Sequence, residues 1–184
     1  MDIQKKNQEL LKKNHVYDEK MEHDACGVGL VASTEGLKSR KVVEYGIEAL
    51  KAVWHRGAID ADGKTGDGAG IHIEIPKDFF AEKIEITGHK HDNSDLCVGM
   101  IFLPRNDFGG QEQCRTIVES ELTKKNFNIY GWRQVPVDPS VLGEKAEQTR
   151  PEITQVLFTH NDKSIHGKDL ERALYETRRK IEKE

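Results

Sequence analysis

The sequence is poor in cysteine, has no long apolar run and has no excess of basic residues. Its three cysteines form no Cys-x-x-Cys pair, which excludes a disulfide scaffold and argues against a structural zinc site. A formal net charge of -4 argues against a nucleic-acid partner, because such proteins need a basic face. The sequence also gives no sign of a membrane segment. We therefore expect a cytoplasmic protein, in a reducing compartment, that binds neither membrane nor nucleic acid.

The first 25 residues read as a leader. They carry five lysines but no apolar segment of the kind that a secretory signal contains. Their few apolar side chains support at most a marginal surface helix. We predict a propeptide over residues 1–25, followed by one domain over residues 26–184, a length that suits a single core.

Hydrophobic periodicity predicts alternating strands and helices in that domain. We predict strands over residues 27–33, 71–75, 96–103, 128–137 and 153–159, and helices over residues 38–54, 111–125 and 168–184. The continuous apolar run at 96–103 is typical of a central strand, and Ser39 is a candidate helix cap. The order of elements fits a layered α/β or α+β fold, and the pattern leaves both open.

Cys26 follows the leader and begins the first predicted strand. If the leader is removed, Cys26 becomes the first residue, and its free α-amine, with a pKa of ~7.7–8.0, can accept the thiol proton. The competing interpretation is a small buried side chain, the commonest fate of a free cysteine. The flanking sequence favours the nucleophile for Cys26, whereas Cys97 and Cys114 lie in apolar patterns that predict core packing.

A second motif is rich in glycine. Residues 55–58 read His-Arg-Gly-Ala, and residues 65–70 read Thr-Gly-Asp-Gly-Ala-Gly, so that glycines surround Asp67. Glycine permits tight turns and close backbone approach. An ordinary hairpin connection explains the same pattern and is compatible with a site.

We assign no metal. The run at residues 60–63 hints at a calcium loop, but Lys64, Thr65 and Ile71 stand where an oxygen ligand, a turn glycine and a bidentate glutamate are needed. The histidines and aspartates of the polar loop at residues 88–95 have no ligand spacing.

Together these motifs resemble one family. Cys26-Gly27-Val28-Gly29, then a helix, then the two motifs at residues 55–58 and 65–70, is similar to the N-terminal glutaminase domain of the glutamate synthase large subunit, a class II glutamine amidotransferase. Residues 131–138, 142–143, 151–156 and 174–179 also resemble that family, so the resemblance runs in register from about Tyr17 to the end. Trp132 and Arg133 lie in it, and we expect their role to be structural.

The resemblance implies an α+β fold of the N-terminal nucleophile hydrolase type, a four-layer αββα sandwich with the nucleophile at the start of a strand. It implies hydrolysis of the L-glutamine side-chain amide by Cys26. Arg56, Gly57, Asp67 and Gly68 would border the active site, with Arg56 stabilising the thiolate and positioning the new N-terminus. An Arg56 ion pair with Asp60 or Asp67 is the alternative.

The resemblance also implies partners. In the family, ammonia passes to a flavin domain that forms glutamate from 2-oxoglutarate, so FMN and an iron–sulfur cluster are expected in the complete enzyme and none in this chain. The family's glutamine-carboxylate arginine and its Asn-Gly oxyanion pair lie beyond the position that matches Glu184. We therefore expect the front part of a domain, inactive alone, that works with the remainder of glutamate synthase in the same chain or a companion subunit.

Three other interpretations stay open. A different class II amidotransferase would share the Cys-Gly and Arg-Gly pairs, although residues 65–70 and 131–133 favour glutamate synthase. The chain would otherwise be a non-catalytic module that acts only with a companion chain, or a truncated one with no function of its own.

Overall fold

The computed structural model describes residues 6, 9–10, 12–14, 27–54, 57–66, 68–91 and 95–184. The chain divides into two compact units. The first unit comprises Met1–Ala58 and Gly68–Ile71, and the second comprises Ile59–Asp67 and His72–Glu184. In these described residues, no helix is long and apolar enough to cross a membrane.

The first unit contains helix α1, Arg40–Ala52. The Ser39 hydroxyl accepts a hydrogen bond from the Lys41 amide at 3.2 Å, which satisfies one of the free donors at the helix start and confirms the predicted cap. Val43, Ile47 and Leu50 form the half-buried stripe. Trp54, predicted on the same stripe, lies beyond the helix and is 71% exposed, so that part of the prediction is wrong.

Two predicted strands do not form in the described structure. Residues 27–33 and 71–75 have an extended apolar pattern but no strand assignment, and Val28 and Leu30 are 95% and 92% exposed. A strand exists only when another strand accepts and donates its backbone hydrogen bonds. Neither segment has a ladder partner among the described residues, so the pattern alone does not make a strand.

The second unit is built on an antiparallel three-stranded sheet of β1 (Leu96–Leu103), β2 (Phe127–Gln134) and β3 (Glu152–His160). The three corresponding predictions are confirmed to within a few residues. The sheet order is β1-β3-β2, so the expected central position of β1 is wrong and β3 is central. An apolar run is typical of a strand covered on both faces, but β1 is an edge strand in which Met100 and Phe102 are 47% and 64% exposed.

Helices cover both faces of this sheet. Helix α2 (Lys77–Ile86) contacts one face, and α3 (Phe108–Lys124) and α5 (Gly167–Ile181) belong to the other. A short 3-10 helix, Pro139–Val141, and helix α4, Glu144–Thr149, precede β3. Helices α2 and α4 were not predicted, since neither has a side-chain cap hydrogen bond and α4 is shorter than two turns. The described architecture is mixed α+β.

Two hydrophobic cores lie on the two faces. Val156 and Leu157, adjacent in β3 and both 1% exposed, point to opposite faces because successive strand side chains alternate. The first core contains Cys97, Val118, Leu122, Phe127, Val156, Phe158 and Leu170. The second core contains Phe80, Ile84, Leu96, Tyr130 and Leu157. The predicted inward positions of α5 are confirmed, with Leu170 and Thr177 buried.

We expect Leu157→Ala to lower the free energy of unfolding by about 2–5 kcal/mol, because it leaves a cavity at the centre of the second core. The matched control is Leu37→Ala at a side chain that is 65% exposed, with an expected change within about 0.5 kcal/mol. Urea unfolding followed by circular dichroism measures both. Equal effects of the two substitutions would contradict this assignment of the core.

Candidate active site

The structure describes only part of the predicted site. Gly57 closes the turn after α1, where its amide donates to the Trp54 carbonyl oxygen at 3.0 Å and an added Cβ would lie 3.2 Å from that oxygen. Gly68 is exposed, with no atom within 4 Å of the position of an added Cβ. Cys26, Arg56 and Asp67 lie outside the described residues.

Between these motifs the chain forms a closed turn, which we call the Asp loop (residues 59–66). Ile59 and Gly66 form an antiparallel bridge, and the Asp60 amide donates to the Thr65 carbonyl oxygen at 2.7 Å. The Gly63 amide donates to the Asp60 carbonyl oxygen at 3.0 Å. Gly63 has φ of +70°, a left-handed conformation that favours glycine. The turn is therefore a defined structure.

Asp62 organises the inside of the Asp loop. Its Oδ1 accepts hydrogen bonds from the amides of Lys64 and Thr65 at 2.9 and 2.7 Å, and its Oδ2 accepts from the Thr65 hydroxyl at 2.5 Å. These bonds, the Thr65 hydroxyl first, favour the ionised carboxylate and lower the pKa of Asp62 to about 2. Asp62 therefore serves as a charged acceptor for its own loop.

The start of α4 lies directly against the Asp loop. Lys145 Nζ contacts Asp60 Oδ2 at 2.7 Å, and the Lys145 backbone contributes slightly to the low pKa of Asp62. Gly143 is buried, and a Cβ there would lie 2.5 Å from the Thr65 amide nitrogen and would also overlap the Asp62 carboxylate. Its φ of −76° is open to any residue, so glycine is needed at this position for space.

Helix α4 is in turn fixed to the end of β1. The Glu147 carboxylate accepts hydrogen bonds from Arg105, which follows β1, and from Arg150 Nε at 2.8 Å. These bonds, that of Arg150 first, lower the pKa of Glu147. Both arginines also line an open pocket of about 360 Å³. Because Glu147 engages both guanidinium groups, we assign no ligand to this pocket.

The structure bears on one alternative for Arg56. The Asp60 carboxylate has two described partners, Lys145 Nζ and the Ala61 amide at 2.5 Å. Its charge is therefore already balanced by a cation from α4. Arg56 is outside the described residues, so its role stays a prediction.

The two described thiols have different environments. Cys97 is 5% exposed in the first core, and burial raises its pKa to about 12, which keeps it protonated and unreactive. The prediction of core packing is confirmed for Cys97. Cys114 is a free, half-buried thiol on α3, more accessible than predicted.

Trp132 and Arg133 connect the sheet to its neighbours. Trp132 Nε1 donates to Glu119 Oε1 of α3 at 2.6 Å. Arg133 Nη1 donates to Gln155 Oε1 of β3 at 2.7 Å, and its guanidinium lies 5.2 Å from the ring centroid of Phe79 in α2. These contacts are structural, as expected for this pair.

The histidines of the polar loop contact an aromatic ring. His89 and His91 lie 6.1 and 5.8 Å from the ring centroid of Tyr130. Over the ranges that the structure describes, no three His, Cys, Asp or Glu side chains are grouped so as to hold a metal ion.

Comparison with known proteins identifies the family. The family model for class-II glutamine amidotransferases matches residues 26–184. This chain belongs to that family. The large chain of an NADPH glutamate synthase from Azospirillum brasilense is 53% identical over 169 residues, which cover 92% of this chain and 11% of that relative. Ferredoxin-dependent glutamate synthases from Pyropia yezoensis and Arabidopsis thaliana are 39% and 38% identical over 88% of this chain and 10% of their own lengths.

The comparison confirms the resemblance to glutamate synthase on which the predicted site rests. This amidotransferase chain spans about a tenth of the length of these relatives. In the sequence, residues 142–143 stand out only as part of the resemblance. The contacts of Gly143 and Lys145 with the Asp loop were not predicted, because a contact between residues some eighty positions apart has no local sequence signal.

We expect the Asp62 carboxylate of this amidotransferase to titrate near pH 2. Since its folded pKa lies below the ordinary value of 3.8, the stabilisation that it provides is complete above about pH 4 and is lost as the pH falls through 2. The measurement is an NMR titration of the Asp62 carboxyl carbon together with the Lys64 and Thr65 amide protons. A carboxyl titration midpoint near pH 3.8, with Lys64 and Thr65 amide shifts that do not change as the carboxyl group titrates, would contradict these hydrogen bonds.

Proposed function

We propose that this chain is the glutaminase part of a glutamate synthase, which hydrolyses the side-chain amide of L-glutamine and supplies ammonia for glutamate formation from 2-oxoglutarate. The observation that carries the proposal is the family match over residues 26–184, which begins on the cysteine that sequence reasoning selected as the nucleophile. The similarity to glutamate synthases from three organisms supports this member of the family over other amidotransferases. Accordingly, residues 1–25 are a propeptide whose removal frees the Cys26 amine.

The reaction proceeds through a thioester. The Cys26 α-amine accepts the thiol proton while Sγ attacks the amide carbonyl carbon of glutamine, and the ammonium so formed donates that proton to the leaving nitrogen, which departs as ammonia. A water molecule then attacks the thioester carbonyl carbon. Its proton returns to the thiol, and glutamate is released.

The neighbouring residues support the nucleophile. Arg56 stabilises the thiolate through a permanent positive charge. Gly57, Asp67 and Gly68 form backbone that glutamine approaches closely. The fold that we propose for the whole domain is the N-terminal nucleophile hydrolase sandwich, αββα, in which the sheet of β1, β2 and β3 with α3 and α5 forms one sheet and one helical layer.

FMN and an iron–sulfur cluster belong to other parts of the complete enzyme. A cluster is held by several Cys thiolates, and Cys97, whose pKa is raised to about 12, does not fit that role. Glutamine hydrolysis as written uses no cofactor. The partner of this chain is the remainder of glutamate synthase, which receives the ammonia.

In the glutamate synthase that carries this sequence, we expect Cys26→Ser and Cys26→Ala to abolish glutamine-dependent glutamate formation and to spare ammonia-dependent formation. Only the amide-hydrolysis step needs the thiol. The controls are Cys97→Ala and Cys114→Ala, which should change only stability, by roughly 1–2 kcal/mol. Full glutamine-dependent activity in Cys26→Ala would overturn the proposal and favour a non-catalytic module.

We expect the active enzyme to begin at Cys26. A peptide bond between Ala25 and Cys26 leaves an amide nitrogen, which does not accept a proton at neutral pH, so protein that still carries Met1 should be inactive. Intact mass and N-terminal sequencing of separated active and inactive fractions provide the measurement. Glutamine turnover by protein that retains Met1 would exclude the α-amine as the base.

A further inference from the structure

The Asp loop is fixed from outside by two contacts with the start of α4. The first is ionic, between Lys145 Nζ and Asp60 Oδ2 at 2.7 Å, with side chains 63% and 35% exposed. The second is steric, since the buried Gly143 leaves room for the Thr65 backbone and the Asp62 carboxylate only because it has no Cβ. A pair of exposed charges alone would hold the loop weakly. The close packing at Gly143 therefore determines the position of the loop.

This contact is connected to the sheet through a short series of bonds. Arg105, at the end of β1, and Arg150, just before β3, both donate to Glu147 of α4. The Glu147 amide donates to the Gly143 carbonyl oxygen at 3.0 Å. Gly143 and Lys145 contact the Asp loop. The Asp loop is thus connected, through α4, to the end of β1 and the start of β3.

The Asp loop ends on Gly66, which is paired with Ile59, and the next residue is Asp67, a residue of the proposed site. We propose that Gly143 and Asp62 are positioning residues for the glutamine site, because they fix against α4 the Asp loop that leads into the glycine motif of that site. This inference rests on the proposed function. Neither residue need touch glutamine, because a displacement of about 1 Å at a site can cost up to ~100-fold in rate.

The test compares Gly143→Ala with Gly109→Ala in the glutamate synthase that carries this sequence. A methyl group at Gly143 meets backbone 2.5 Å away, whereas at Gly109 the nearest atom would lie 3.6 Å away. Asp62→Ala is the second variant. It shortens an exposed side chain and removes the oxygen that accepts from both amides, so it tests the same contact if Gly143→Ala fails to fold.

We expect Gly143→Ala and Asp62→Ala to lower kcat/KM for glutamine roughly tenfold or more, while ammonia-dependent glutamate formation and the Gly109→Ala enzyme stay at the wild-type level. Hydrogen exchange of the Lys64 and Thr65 amides, which both donate to Asp62, should become faster by roughly tenfold in the same two variants. A merely structural defect would lower glutamine-dependent and ammonia-dependent rates together.

Two results overturn the inference and are distinguishable from failure of the proposed function. Faster exchange with unchanged glutamine kinetics shows that the contact does not position the site. Unchanged exchange in Gly143→Ala shows that the contact does not hold the loop. If the wild-type enzyme does not turn over glutamine, or does so without Cys26, the proposed function itself fails and this inference fails with it.

Discussion

Strand β3 carries both hydrogen-bonded ladders of the sheet, and the rest of the second unit depends on this double pairing. Each of its residues from Glu152 to Thr159 lies opposite a residue of β1, and most also lie opposite a residue of β2. Val156 and Leu157 direct the same strand into two separate cores. The loss of β3 would leave two edge strands and two sets of helices with nothing to pack on.

The Asp loop is connected to this sheet, although it is not part of it. The chain of contacts runs from Arg105 and Arg150 through Glu147 to α4, and from α4 to Asp60. The exposed ion pair between Lys145 and Asp60 is weak on its own. The geometry of these contacts gains precision from Gly143, where the backbone of one segment fills the space that a side chain would take on the other.

Local sequence signals predicted those parts of the fold that local physics decides. The Ser39 cap, the strand at residues 96–103 and the inward face of α5 depend on consecutive residues, and the structure confirms them. Pairing is not local. The sequence therefore did not reveal that β3 is central, and it predicted strands at residues 27–33 and 71–75 where the described structure has no ladder partner.

The candidate site also has a part that the sequence predicts and a part that it does not. Cys26 and the glycine motifs could be selected from sequence because their chemistry is carried by residue type and spacing. The family match covers these residues, and their individual roles stay predictions. The calcium-like run at residues 60–63 was assigned no metal because of its spacing. Its actual use by Asp62 as an acceptor for the amides of Lys64 and Thr65 needed coordinates. So did the pairing with Gly143, which depends on a contact far along the chain.

The strand order β1-β3-β2 has a consequence for how the protein is made. Of the three described strands, β1 and β2 are synthesised before β3 and do not pair with each other, because each pairs with residues 152–160. Until β3 is synthesised, β1 and β2 lack this partner for their backbone groups, and their apolar faces have only the helices nearest to them in sequence for cover. Assembly must then close long loops in one late step, which makes folding slow and leaves the nascent chain dependent on protection from aggregation.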